Sequence, residues 1–91
     1  MIEHVLKTFP VYFDAIKRGE KNFDVRRDDR GFQKGDVLVF QRLNDEFAEW
    51  RVDTDLDGNV RHEIRKRIAY VLTGGQLGIE PGYVVMALKD I

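Results

Sequence analysis

Apolar residues at Val11, Tyr12, Ala15 and Ile16 fall at the spacing of one helical face. Pro10 stands just before them, with Thr8 or Phe9 outside it, and its fixed φ suits a first helical turn. Gly19 follows where a C-terminal cap belongs. The pattern predicts one helix over residues 10–18. The rest reads as strand. Residues 2–7 form a short apolar-rich stretch, and residues 22–27 alternate. There Phe23 and Val25 share one face, assigned to the core, and Asn22, Asp24 and Arg26 share the other. A turn over 28–35 leads into 36–42, where the unbroken Val37-Leu38-Val39-Phe40 predicts a strand buried on both faces. Residues 49–53 and 60–73 flank Asp55-Leu56-Asp57-Gly58, a hairpin signal, and the longer strand places Ile64, Ile68, Tyr70 and Leu72 on one face. Gly74-Gly75 breaks that strand, a loop runs to Gly82, and residues 83–89 make the last strand. One helix near the start of about six strands, without βαβ alternation, predicts an α+β fold: a small curved β-barrel in a single domain over residues 1–91.

Composition removes several kinds of chemistry. The chain has no cysteine, which excludes disulfides, thiolate metal sites and cysteine nucleophiles. It has no serine either, so no serine triad can be assembled. No apolar run reaches the roughly 20 residues that span a bilayer, and Met1 is not followed by a secretory pattern, so the expectation is a cytoplasmic protein with no membrane contact. The formal net charge of −1 gives no hint of a nucleic-acid partner until it is resolved along the chain. Residues 17–34 carry seven cations against four carboxylates, residues 44–59 one against six, and residues 61–67 four against one. Blocks of opposite sign cancel in the total but not in the local field.

The motif Asp53-x-Asp55-x-Asp57-Gly58 begins like a calcium loop, but its twelfth position is Ile64 rather than glutamate, and an acidic turn is the simpler reading. His4 and His62 have no companions at metal-ligand spacing, and Gly74, Gly75 and Gly78 lack the lysine and helix of a phosphate loop. No metal or cofactor is implied. What remains is lysine, arginine and carboxylate chemistry, concentrated in residues 19–30. Arginine offers a planar fork for phosphates and base edges, and a neighbouring carboxylate such as Asp24 would orient Arg26. By spacing alone, a solvated ion-pair ladder is the favoured reading.

Read in order, Gly19-x-Lys21, Asp24-x-Arg26, Asp29-Arg30 and Gly35-Asp36 after a helix resemble the ASCH domain of the PUA-like superfamily. The chain is more similar still to a family of small single-domain ASCH-like proteins of unknown function from bacteria and phages. That family's His-x-Leu-Lys opening is matched by His4, Leu6 and Lys7, and its helical Tyr-Phe pair by Tyr12 and Phe13. Its Asp-Arg-x-Phe is matched by Asp29, Arg30 and Phe32, and its late Gly-Tyr-Val-Val by residues 82–85. The resemblance implies a curved barrel with a cleft between helix and barrel that takes RNA or a nucleotide-like small molecule. In that reading Lys7, Lys21, Arg26 and Arg30 contact phosphate or base, Asp24 reads or orients, and Tyr83 or Tyr70 stacks. Arg26→Ala and Arg30→Ala would then weaken salt-dependent binding.

Two alternatives follow. Some ASCH relatives are enzymes, an acetylated-cytidine amidohydrolase and a ribonuclease, and the resemblance matches Lys21 to the former's lysine. Asp24 stands where that enzyme has threonine, and no later glutamate corresponds. Lys21 shares the face of Asp24 only if the chain bends between Gly19 and Asn22. The other alternative is a protein-interaction module in which the acidic segment 44–59 docks a basic partner.

Overall fold

The computed structural model describes residues 1–44 and 50–91. Its elements are β1 (Glu3–Thr8), α1 (Pro10–Lys17), β2 (Phe23–Arg27), β3 (Val37–Arg42), β4 (Glu63–Thr73) and β5 (Tyr83–Lys89). The five strands form one sheet in the order β1-β3-β4-β5-β2, curled as a half-barrel. Only β1 and β3 are parallel; the other neighbours are antiparallel. Strands β1 and β2 are therefore the two edges, and the helix that joins them lies over the interior. Leu6, Phe13, Ile16, Leu38, Phe40, Ile68 and Met86 meet there in one buried cluster.

The expected sixth strand is not among the described residues. Residue 49 of the predicted 49–53 segment lies outside them, and Val52 and Thr54 make only isolated bridges, to Leu43 and Val60. The turn between is real. Asp55 accepts hydrogen bonds from the Asp57 and Asn59 amides, at 2.9 and 3.0 Å, and this self-capping closes the turn without a ladder. The long strand consequently starts at Glu63 rather than at residue 60.

Strand β3 is buried on both faces as its unbroken apolar run predicts. Leu38 and Phe40 enter the core, whereas Val37 and Val39 point outward between neighbours on β1 and β4. The ion pair from Arg65 on β4 to Glu3 on β1 crosses that outer face, with Glu3 in register beside Val37 and Arg65 beside Val39. In β4 a bulge between Ile68 and Tyr70 switches parity, so Ile68 is in the core and Val71 packs against it, while Tyr70 faces solvent. The expected single face of Ile64, Ile68, Tyr70 and Leu72 is broken by that one residue.

The helix also turns differently from its apolar spacing. It buries Pro10, Phe13 and Ile16, and exposes Val11 and Tyr12. Its end sets up everything that follows. Gly19 donates to the Ile16 carbonyl and Glu20 to that of Ala15, at 3.1 and 3.0 Å, a Schellman motif with Gly19 at φ +80°. The Lys21 amide donates to the same Ala15 carbonyl at 3.1 Å, so the chain doubles back before β2 begins.

The candidate cleft along the edge strand

Strand β2 is inverted relative to its hydrophobicity. Phe23 and Val25, assigned to the core by alternation, are 46% and 50% exposed, while Asp24 is 5% exposed. Arg26, on the same face as Asp24, is half-buried. The inversion is possible because the charges satisfy one another. One Asp24 carboxylate oxygen accepts from Lys21 Nζ at 3.1 Å, and the other accepts from Arg26 Nε. Lys21 Nζ also donates to the Phe23 carbonyl at 2.8 Å. The bend after Gly19 supplies the condition on which Lys21 and Asp24 meet.

Arg26 has a second set of acceptors. Both its Nη atoms donate to the Lys7 carbonyl at 3.2 Å, and Nη2 reaches Thr8 Oγ1 at 3.3 Å. Arg30 donates to the Val5 carbonyl at 2.8 Å. The pattern has a simple cause. The Ile2 and Thr8 carbonyls accept from Val37 and Leu43, so the even-numbered carbonyls of β1 serve β3 and the odd-numbered ones face its open edge. Two arginines from β2 and its following loop thus reach the unpaired edge of β1. Side chains close the seam that backbone pairing leaves open.

Three connected depressions follow this seam, and all touch Val25. The first, about 480 Å³, lies under Tyr12 and Phe23, with Lys21 and Glu20 at its wall. Lys21 Nζ stands 5.5 Å from the Tyr12 ring centre and 5.0 Å from that of Phe23. The middle one, about 200 Å³, lies between Lys7, Arg26, Phe9 and Trp50. The Phe9 and Trp50 rings are 4.9 Å apart, and Trp50 adopts a left-handed φ of 51°. The third, about 490 Å³, includes Arg27, Arg30 and Tyr83, with the Arg27 guanidinium 5.4 Å from the Tyr83 ring centre. Among the described residues, the Lys7 ammonium and the Arg27 guanidinium take part in no ion pair.

The six sequence candidates therefore gather on one side of the molecule but in different roles. Lys21, Asp24 and Arg26 form a closed charge cluster; Arg26 and Arg30 hold the seam; Lys7 and Tyr83 flank the cleft. Tyr70 lies on the middle strand, two strands from either edge, and is not at the cleft. The same topology separates the basic segment 61–67 from the seam. Arg65 is paired with Glu3 and Glu63, and Lys66 with Asp90. In the acidic turn, Asp53 lies within 3.8 Å of Arg61 and 3.7 Å of His62. Residues 45–49 of that block lie outside the described residues.

The family model for a domain of unknown function, DUF3850, matches residues 3–88. That span runs from the start of β1 almost to the end of β5. The chain belongs to the DUF3850 family. No curated protein matches it. The DUF3850 match therefore fixes kinship without an activity, and the chemistry must be read from the cleft. Sequence reasoning missed Phe9, Tyr12, Phe23 and Trp50 as cleft residues. Nothing in the spacing of Trp50 marks it, whereas the charged neighbours of Phe23 were a usable signal: Lys21, Asp24 and Arg26 form a self-satisfying set that can be turned inward.

The chain has a second buried polar contact, between His4 and Asp36, which anchors the loop before β3. Asp36 accepts from His4 Nε2 at 2.9 Å, from the Ile2 amide at 3.2 Å and from the Gln33 amide at 3.1 Å. Burial pushes its carboxyl pKa up, but the hydrogen bonds from His4 and the two amides outweigh that and hold it below its ordinary 3.8. His4 also packs edge-on against Phe32, 4.7 Å between centres. These contacts account for His4 as structure. Among the described residues no group of side chains is arranged to hold a metal ion, and no helix is long and apolar enough to cross a membrane.

Proposed function

We propose that this chain is a cytoplasmic ASCH/PUA-like binding module that takes RNA or a nucleotide-like ligand in the cleft between helix, β1 and β2. The observation that carries the reading is the outward face of β2. An edge strand exposes Phe23 and Val25 beside Tyr12 while burying Asp24, an arrangement with no advantage for the core. Exposed rings interleaved with cations are what a flexible polyanion with flat bases requires: stacking on the rings and neutralisation of phosphate. The clustered lysine and arginines carry the positive field, and Asp24 fixes two of them in place.

Lys21 supports the binding reading over hydrolysis. Its ammonium donates to the Asp24 carboxylate and to the Phe23 carbonyl, which makes it a held donor rather than a proton acceptor. Arg26 and Arg30 are poor test positions, because removing either also opens the seam. Lys7 and Arg27 are better ones. Filter or anisotropy titrations with short RNA should show affinity falling with salt, and Lys7→Ala and Arg27→Ala should each lower the log–log salt slope by about 0.7 per lost phosphate contact. Salt-independent binding, or a double variant that binds as the parent does, would remove the reading.

A further inference from the structure

Resting on that reading, we infer that the cleft takes an extended single strand of at least three nucleotides running along β2, rather than one nucleotide in one pocket. Three observations meet here. First, the depressions follow the chain direction of β2 in order: the first is bounded by Lys21 and Phe23, the middle one by Asp24 and Arg26, the third by Arg27 and Arg30. The first and middle share Tyr12, Asp24 and Val25, and the middle and third share Phe9, Val25, Arg26 and Trp50, so they adjoin as one trough with three widenings.

Second, each widening adds a ring and a cation to a wall it shares with its neighbour: Tyr12 borders the first and the middle, and Phe9, Trp50 and Arg26 border the middle and the third. Tyr12 and Phe23 flank Lys21 in the first, the Phe9–Trp50 pair stands with Lys7 in the second, and Tyr83 stands with Arg27 in the third. A pocket for one nucleotide would need a single ring and one phosphate contact. Repetition of ring and cation at three places along a strand matches the repeat of base and phosphate in a polymer. Across the trough, the five cations Lys7, Lys21, Arg26, Arg27 and Arg30 face the carboxylates Glu20, Asp24 and Asp29, which leaves it positive inside a chain whose total charge is −1.

Third, the floor of the trough is an open sheet edge. Leu88 donates to the Asn22 carbonyl, and Asp28 donates to that of Gly82, so the even-numbered backbone groups of β2 face β5. The N–H and C=O of Val25 therefore turn to the open side. A donor and an acceptor lie at the middle of the trough, where they would meet a base edge or a ribose hydroxyl. A duplex, whose bases are stacked on one another, could use neither the rings nor this edge.

Trp50 is the only tryptophan of the chain and lines the middle and third widenings, so its fluorescence reports occupancy of that part of the trough. The test titrates the full chain with uridine monophosphate and with oligouridylates of two, three, four and six nucleotides, following Trp50 emission and anisotropy. Affinity should rise at each step to three and flatten beyond. Phe23→Ala and Tyr83→Ala should each bring the trinucleotide down to the dinucleotide level, a loss of roughly five- to a hundredfold for one stacked base. Circular dichroism of both variants verifies that the fold is kept. A monophosphate that binds as tightly as the trinucleotide overturns the three-station reading and leaves nucleotide binding standing. Equal affinity for a duplex of the same length also overturns it. Failure of every ligand to bind at low salt overturns both.

Discussion

Asp24 is the residue on which the edge strand turns. Two cations share its carboxylate, and their side chains are themselves mostly covered, so the carboxylate neutralises charge where solvent does so poorly. Removing it would leave Lys21 and Arg26 adjacent with no counter-charge. Asp24→Ala should therefore cost about 2–4 kcal/mol, at or just below the lower end of the roughly 3–5 for breaking a buried pair, because both cations keep some solvent. Its neighbour should behave in the opposite way. Phe23 is half in solvent, so Phe23→Ala should change stability by no more than about 0.5 kcal/mol, against the 3–5 expected for a core phenylalanine. Denaturant titrations of the two variants check this directly. A severe Phe23→Ala beside a silent Asp24→Ala would mean that β2 faces the other way.

Among the elements, β1 and β2 depend on each other without sharing a ladder. Each is hydrogen-bonded to one neighbour only, and Arg26 and Arg30 supply the link between them. A charged donor on a carbonyl is worth about 1.5–3 kcal/mol when sheltered, and Arg30 is exposed enough to fall at or below the bottom of that range. Arg30→Ala should accordingly leave the global midpoint little changed while loosening the edge. Hydrogen exchange should speed up first at the amides through which β3 pairs with β1, with those between β4 and β5 unchanged. Acceleration spread evenly over all strands would show that the arginine supports the core instead. The helix end works on the same region. Gly19 lets the chain fold back through its positive φ, and Lys21 reaches Asp24 only because of that reversal. At the far end of the sheet Gly74 answers a different need, since a Cβ there would run into the backbone oxygens of Glu80 and Tyr83.

For the molecule as a whole, the parallel β1–β3 pair requires a crossover, and the chain uses it to carry α1 and β2 over the open mouth. The His4–Asp36 contact pins that crossover where β3 begins. The Asp36 carboxyl is held below its ordinary 3.8 once folded, so its contribution is complete above that value and is lost as pH falls through the lower folded value. Asp14, held down by the hydrogen bond from Arg42, adds in the same direction. Thermal midpoints should thus stay level in this respect from neutral pH to about 5 and drop below about 4, and Asp36→Asn should flatten part of that drop. An acid limb as steep in the variant as in the parent would assign the effect elsewhere. Sequence by itself determined what depends on local period and turn chemistry: a mostly β chain with one short helix near its start, the helix from Pro10, the doubly buried Val37–Phe40 run, the stop at Gly74-Gly75, and the band of cations in residues 19–30. Tertiary structure alone decided which way β2 faces, where the β4 bulge changes parity, and that Phe9 meets Trp50. The physical reason is one of range. Alternation states that two faces differ, but only partners distant in the chain, here the carbonyls of β1 and the doubled-back Lys21, can satisfy buried charge and so reverse which face goes inside.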